Sequence, residues 1–295
     1  SLCEPWGISV MDWPVSLVEE LASRRCIVFL GAGASAGCLS AVDRSSPPTW
    51  GVFLEDLKNR IPDPDGTETI DALIDKEKYL DAAEVIINKL PAADFTRAIR
   101  ELFVQPRYEK SSIHESTLKI DPKVVVTTNY DDVYDAYCRT GIAQDGYNVC
   151  KYYEQHLATD LRSPVRIIVK AHGCVNDISK IVLSRSQYFR AKQENHDFYA
   201  ILNSLFMTNT LLFLGYSMSD PDIQLVLENS NIFSRSTHPH YALVGDDIIP
   251  DIEESMRKAY NIEFLKYPAG QYDEANRCVQ DLVEQVEAMR ASRMT

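Results

Sequence analysis

Residues 124–132 of the chain read VVVTTNYDD. Three successive β-branched apolar residues predict a buried strand, and the polar residues that follow end it abruptly. In an open α/β sheet, ligands bind just beyond the carboxyl ends of the strands. Thr128, Asn129 and Asp131 are therefore candidate binding or catalytic residues. A second interpretation is equally open at this point, in which Asp131 or Asp132 only caps the following helix.

Further strand patterns alternate with helical patterns along the 295 residues. Strands are predicted at 26–30, 165–170, 181–183, 211–214, 241–244 and 262–265, and helices at 15–23, 50–60, 131–139, 186–207, 221–228 and 271–291. This alternation predicts an α/β fold, with a mostly parallel sheet covered by helices on both faces. We expect one domain over 1–295, with a helical insertion at about 62–118 and a C-terminal helix at about 271–291.

Composition excludes several classes of protein. The formal net charge of −13 argues against direct nucleic-acid binding, which normally needs a basic surface. No apolar span is long enough for a membrane helix, and no signal peptide is visible, so a soluble cytoplasmic protein is expected. Seven cysteines, an odd number without C-x-x-C spacing, predict reduced thiols and no structural zinc.

A glycine-rich turn, GAGASAG at residues 31–37, follows the first predicted strand. Gly31, Gly33 and Ala36 have the spacing of a dinucleotide-binding turn, in which glycines let the backbone approach a pyrophosphate. The acidic residue that usually follows about 20 positions later has no clear counterpart. The turn by itself therefore leaves dinucleotide binding and a purely structural role open.

Two later strands also end in polar residues. The sequence KAHG at residues 170–173 presents His172, which can act as a general acid or base or can be purely structural. The sequence LGYSMSD at residues 214–220 presents Gly215 and Ser217 as candidate contacts to ribose or phosphate. Asp220 and Pro221 fit the start of a helix, with proline in its first position.

These four strand ends, in this order, resemble the sirtuin-like domain family, particularly its bacterial branch associated with antiviral defence. The resemblance implies a Rossmann-like core that binds NAD+. It also implies that Asn129 and His172 are the catalytic pair. The remaining residues expected at the cofactor are Gly31, Ala32, Gly33, Ser35, Thr128, Gly215 and Ser217. The paired cysteines of the sirtuin zinc module are missing, so no metal is expected, and hydrolysis of NAD+ is favoured over protein deacylation.

The expected reaction cleaves the nicotinamide–ribose bond of NAD+ and yields nicotinamide and ADP-ribose, which would deplete NAD+ in an abortive response to phage. Asn129 would position the ribose or the attacking water, His172 would act as general base, and Asp131 would orient the site or stabilise positive charge. Two alternatives stay open. The first is an NAD-dependent deacylase or ADP-ribosyltransferase, and the second is a nonenzymatic nucleotide-sensing subunit.

An unregulated NAD+ hydrolase would poison its own cell, so we expect its activity to be gated. The resemblance implies that a partner senses the trigger, such as a hexameric ATPase/translocase or an Argonaute-type protein, or that self-assembly into a homo-oligomer controls the enzyme.

Overall fold

The computed structural model describes residues 11–140, 146–217, 220, 225 and 238–294. Within these ranges one parallel sheet is built from the strands β1 (Cys26–Leu30), β2 (Val124–Thr127), β3 (Tyr147–Lys151), β4 (Arg166–Lys170), β5 (Thr210–Leu214), β6 (His240–Gly245) and β7 (Ile262–Tyr267). Their order is β3-β4-β2-β1-β5-β6-β7, and every pairing is parallel. The predicted α/β fold is confirmed.

The strand order places the candidate residues in one crevice. The chain proceeds from β1 to one side of the sheet and later returns to place β5 on the other side of β1. The switch point between β1 and β5 is where ligands bind in open α/β sheets. The carboxyl end of β1 leads into Gly31, that of β5 leads into Gly215, and that of β2, beside β1, leads into Asn129.

Helices cover both faces of the sheet because alternate residues of each strand point to opposite sides. In β1, Ile27 and Phe29 pack in one apolar cluster with α10 and α11, while Val28 and Leu30 pack in another with α1 and α13. The helices are α1 (Val15–Ala22), α2 (Ala32–Ala36), α3 (Trp50–Asn59), α4 (Glu68–Asp75), α5 (Tyr79–Lys89), α6 (Ala92–Ile99), α7 (Ser112–Ile120), α8 (Val133–Arg139), α9 (Leu157–Arg162), α10 (Arg185–Glu194), α11 (His196–Thr208), α12 (Pro250–Tyr260) and α13 (Tyr272–Ser292).

The long connection from β1 to β2 is helical and contains α3 to α7. Helices α3 to α6 and a π-helical turn (Arg100–Val104) pack around an apolar cluster of their own. Pro91 is the N-cap residue of α6. That residues 62–118 form a distinct insertion stays a prediction. In the described ranges, no helix is both long and apolar enough to span a membrane.

The structure corrects the predicted elements in three places. The predicted strand at 181–183 is a buried extended segment, and Val182 N–H donates to the carbonyl of His172 (3.0 Å) instead of joining the sheet. The edge strand β3 was not predicted, because its half-exposed residues break the apolar pattern. The long helix predicted at 186–207 is two helices that meet at Asn195. Of the helix predicted at 221–228 only Leu225 is described, and it is helical; the proline at 221 lies outside the described residues.

The buried His240 at the start of β6 predicts acid sensitivity. Its Nδ1 accepts a hydrogen bond from Leu211 N–H (3.1 Å), and burial lowers its pKa from 6.5 to about 4. The unfolded chain therefore binds this proton first, so stability is lost as pH falls from about 6.5 towards 4. Between pH 7 and 5, His240→Gln should reduce the loss of unfolding free energy by about 1–2 kcal/mol, measured by urea denaturation. The exposed His196→Gln should leave the pH dependence of wild type unchanged.

Candidate active site

The glycine turn is shaped by close contact between the ends of β1 and β5. Gly31 N–H donates to the carbonyl of Leu214 (3.0 Å), and Gly33 N–H donates to the carbonyl of Gly215 (2.7 Å). A Cβ atom added to Gly31 or Gly33 would lie only 2.7 or 2.8 Å from the Gly215 oxygen. The spacing of these glycines predicts room for a pyrophosphate. In the structure, a side chain at Gly31 or Gly33 would first clash with the end of the neighbouring strand β5.

Hydroxyl groups join the end of β2 to the same junction. Thr127 Oγ1 donates to the carbonyl of Leu30 (2.8 Å), which also accepts from the Tyr216 hydroxyl (3.3 Å). Thr128 Oγ1 and the Tyr216 hydroxyl lie 3.2 Å apart in hydrogen-bond contact. The ends of β1, β2 and β5 are therefore held in one buried polar network, which fixes the start of the segment that carries Asn129.

Asn129 is held with a defined amide orientation. Its Nδ2 donates to the carbonyl of Gly31 (2.9 Å) and to Ser35 Oγ (3.1 Å). Its backbone N–H donates to Thr127 Oγ1 (3.1 Å). Both amide protons are thus used by the protein, and the amide oxygen is the group left to accept a hydrogen bond from a ligand.

Asp131 supports Asn129 through a shared partner. Ser35 Oγ donates to Asp131 Oδ2 (2.9 Å), and Oδ1 accepts from Val133 N–H (3.1 Å) at the start of α8. Asp132 occupies the N-cap position but makes no side-chain cap bond. Asp131 therefore combines both sequence interpretations, since it starts the helix and also orients Ser35 beside Asn129.

A buried lysine lies beneath this segment. Lys170 Nζ donates to the Asp131 carbonyl (2.5 Å) and lies 3.6 Å from Asp135 Oδ2. Burial alone would lower the pKa of Lys170, but the negative charges of Asp135 and Asp131 outweigh it and raise that pKa. Burial raises the pKa of Asp135, and the charge of Lys170 opposes this shift. The Lys170 ammonium thus anchors the backbone of the candidate site from below.

An open cleft lies above the Asn129 segment, and its enclosed volume is about 50 Å³. Ala32, Ser35, Thr128, Asn129 and Asp131 line its polar side. Its apolar side is formed by residues of the connection between β1 and β2 and by Tyr130, which follows β2. The residues of the connection are Pro47, Pro48, Trp50, Phe53 and Phe103.

Three of these rings fix the shape of the apolar wall. Phe53 and Phe103 pack edge to face with centroids 5.4 Å apart, and Tyr130 packs on both, at 6.3 and 6.0 Å. The sequence predicts a helix at 50–60 but assigns none of its residues to the site. The signal that could have identified Trp50 and Phe53 is an aromatic helix face that does not pack against the sheet.

His172 lines a different cavity from Asn129. The side chain is fully buried at the end of β4, and its ring centroid is 5.6 Å from that of Tyr188. The cavity around it is small, about 10 Å³, and is also lined by Ala171, Tyr188, Tyr199, Leu202, Asn203 and Phe206. β2 and β4 are adjacent in the sheet, yet the structure does not bring Asn129 and His172 into one cavity.

The other predicted residues divide into two groups. Gly31, Gly33 and Gly215 shape the junction of the strand ends, and none of them lines either cavity. Ser217 is exposed beyond the end of β5 and lines neither cavity. The described cysteines are all reduced and buried, namely Cys26, Cys38, Cys138, Cys150, Cys174 and Cys278.

Comparison with known proteins identifies the family that part of this α/β chain resembles. Residues 123–265 match the sequence model of the SIR2-like domain family. Over these residues the chain is similar to a SIR2-like domain. The matched part runs from β2 into β7 and contains Asn129, His172 and Gly215, whereas the glycine turn at 31–37 precedes it. The family resemblance predicted from the strand ends is confirmed.

The curated relatives include proteins named as NAD(+) hydrolases and one named as a defence-associated sirtuin. NAD(+) hydrolase ThsA of Enterococcus faecium is 28% identical over 164 residues, covering 54% of this chain and 34% of the relative. ThsA of Acinetobacter baumannii (strain 532279) is 25% identical over 251 residues, covering 83% and 48%. Defense-associated sirtuin 2 of Bacillus subtilis is 22% identical over 227 residues, covering 74% and 20%. The chain thus spans between a fifth and about half of these relatives.

Proposed function

We propose that the protein hydrolyses the nicotinamide–ribose bond of NAD+ and releases nicotinamide and ADP-ribose. One observation carries the proposal. The Asn129 amide is locked by Gly31 and Ser35 at the carboxyl end of the sheet, inside a cleft with one polar and one aromatic side. The distant relatives named NAD(+) hydrolase support the same reaction at the level of the family.

For this reaction the protein mainly has to orient NAD+ and exclude bulk water. Nicotinamide is a good leaving group because it carries a positive charge in NAD+, and its departure leaves positive charge on the ribose ring. The amide oxygen of Asn129 is the acceptor that would hold a ribose hydroxyl or the attacking water. Asp131, buried beside Ser35, would stabilise the developing positive charge and keep Asn129 in place.

His172 would act as general base on a ribose hydroxyl or on the water. Its ring lies in a separate cavity, so action by both residues on one ribose requires the two cavities to join. This separation supports gating, because turnover would then need a rearrangement around the end of β4. We propose that a partner protein, such as a hexameric ATPase/translocase or an Argonaute-type protein, or self-assembly of the chain drives that change during antiphage defence.

The aromatic wall would bind the flat nicotinamide ring. Trp50 faces the cleft beside Phe53, with ring centroids 6.2 Å apart. Trp50→Ala should raise the KM for NAD+ about 5-fold, because loss of one aromatic contact of this kind costs about 1 kcal/mol, while kcat should change less. Val52→Ala, an exposed substitution on the same helix α3, should leave both constants unchanged. Steady-state kinetics would contradict the assignment if both variants behaved alike.

Product analysis tests the proposed reaction. Purified protein, alone and mixed with the protein encoded beside it, is incubated with NAD+ and the products are separated by liquid chromatography and mass spectrometry. Equal amounts of nicotinamide and ADP-ribose, formed without an acceptor, are expected. Release that depends on an acylated peptide or on a protein acceptor would instead indicate a deacylase or a transferase. Saturable binding of NAD+ without turnover in either mixture would indicate a nucleotide sensor.

A further inference from the structure

A second cluster of reactive side chains lies at the edge of the sheet, away from both cavities. Cys150 belongs to β3, and Glu154 and His156 belong to the loop between β3 and α9. One ligand atom from each residue, the thiol sulfur, a carboxylate oxygen and an imidazole nitrogen, lies within 4.8 Å of the other two. Neither cavity of the candidate active site includes any of the three residues.

We propose that Cys150, Glu154 and His156 bind one zinc-class divalent cation. Thiolate, imidazole and carboxylate are the three donor types that zinc prefers, and together they disfavour Mg²⁺ and Ca²⁺, which prefer oxygen ligands alone. Three protein ligands leave a fourth tetrahedral position for water or another ligand. The proposal is independent of NAD+ hydrolysis.

The surroundings of His156 are those of a metal-bound histidine. His156 Nδ1 donates to Asp160 Oδ2 (2.6 Å), which directs Nε2 towards Glu154 Oε2, 3.3 Å away. Asp160 is itself buried and accepts from Asn148 Nδ2 (3.0 Å) through its other oxygen. A carboxylate on the remote nitrogen is the usual second partner of a zinc-binding histidine, because it fixes the tautomer and the ring orientation.

Glu154 is also held in place. Its Oε2 accepts from the backbone N–H of Lys151 (2.8 Å), and its Oε1 lies 3.2 Å from Lys151 Nζ. Two carboxylates, Glu154 and Asp160, lie against the His156 ring, and Lys151 pairs with Glu154. A divalent cation would balance these charges.

Burial sets the direction from which the ion would enter. The Cys150 side chain is fully buried beneath the loop, whereas the side chains of Glu154 and His156 are 28% and 45% exposed. An ion would therefore approach from solvent through Glu154 and His156 and reach the thiolate last. Binding would tie the loop that leads into α9 to the edge strand β3. The pattern C-x₃-E-x-H differs from C-x-x-C and H-x₃-H spacings, so the sequence did not indicate it.

Cobalt and zinc titrations of the tag-free, chelator-treated chain test the proposal. Wild type should bind one Co²⁺ per chain with tetrahedral d–d absorption and a thiolate-to-metal charge-transfer band, and Zn²⁺ should displace it. Cys150→Ser should abolish the charge-transfer band, and His156→Ala should abolish tight binding. Asp160→Asn should weaken Zn²⁺ binding about 10–100-fold, the usual effect of losing such a second partner.

Matched controls separate this site from other thiols and histidines. Cys278→Ser, a buried cysteine on α13, and His196→Ala, an exposed histidine on α11, should bind metal as wild type does. Circular dichroism confirms that each variant is folded, and His156→Ala tests the site if Cys150→Ser does not fold. The proposal is overturned if wild type takes up no metal from micromolar solution. It is equally overturned if folded Cys150→Ser and His156→Ala bind Zn²⁺ with wild-type affinity.

Discussion

Asn129→Ala should lower kcat for NAD+ hydrolysis by about 100–1000-fold, or about 3–4 kcal/mol of transition-state stabilisation. The substitution removes the amide oxygen that we assign to the ribose or the water. It also removes the two donor bonds to Gly31 and Ser35 that hold the cleft wall. Steady-state kinetics, under conditions in which wild type turns over NAD+, measure the effect.

A second variant distinguishes lost chemistry from lost structure. Asn129→Asp keeps an acceptor oxygen of the same size but cannot donate to the Gly31 carbonyl, so it tests whether the locked orientation matters. The exposed Asn59→Ala on α3 serves as the matched control and should retain wild-type kinetics. If Asn129→Ala kept kcat within about twofold of wild type, the residue would not be catalytic.

Gly215→Ala should cost about 2–5 kcal/mol of folding free energy, a large part of the stability of a typical domain. Gly215 has φ of +75°, a conformation that costs an alanine about 1–2 kcal/mol. The added Cβ would also lie 2.1 Å from the backbone nitrogen of Ala34, so α2 and the glycine turn would have to move. Such overpacking typically costs a further 1–3 kcal/mol. Urea denaturation measures the loss.

Gly270→Ala provides the control for Gly215→Ala. Gly270 has the same φ of +75°, but a Cβ there would meet nothing within 4 Å. This variant should lose only about 1–2 kcal/mol, from backbone strain alone. The difference between the two variants therefore measures the steric clash between the ends of β1 and β5. Equal losses would mean that this close approach is not rigid.

Much of the fold followed from local patterns. Cys26–Leu30 is apolar throughout, and Val124–Thr127 is apolar except for its last residue. Strands of a parallel sheet are buried on both faces, so this signal is strong in the sequence. The edge strand β3 lacked the signal, since its outer side is partly exposed. The segment 181–183 carried it without being a strand, because burial next to His172 also demands apolar residues.

By itself the sequence determined the sheet class, the strand ends that carry Asn129, His172 and Gly215, and the family resemblance. These properties depend on patterns among residues that are close together in the chain, and such patterns can be read directly from the sequence. Only the tertiary structure decided which side chains share a cavity. It grouped Asn129 with Ser35 and the aromatic wall, placed His172 in a second cavity, and brought Cys150 next to His156. The physical reason is that such neighbours are set by strand order, helix packing and loop paths, which no local spacing encodes.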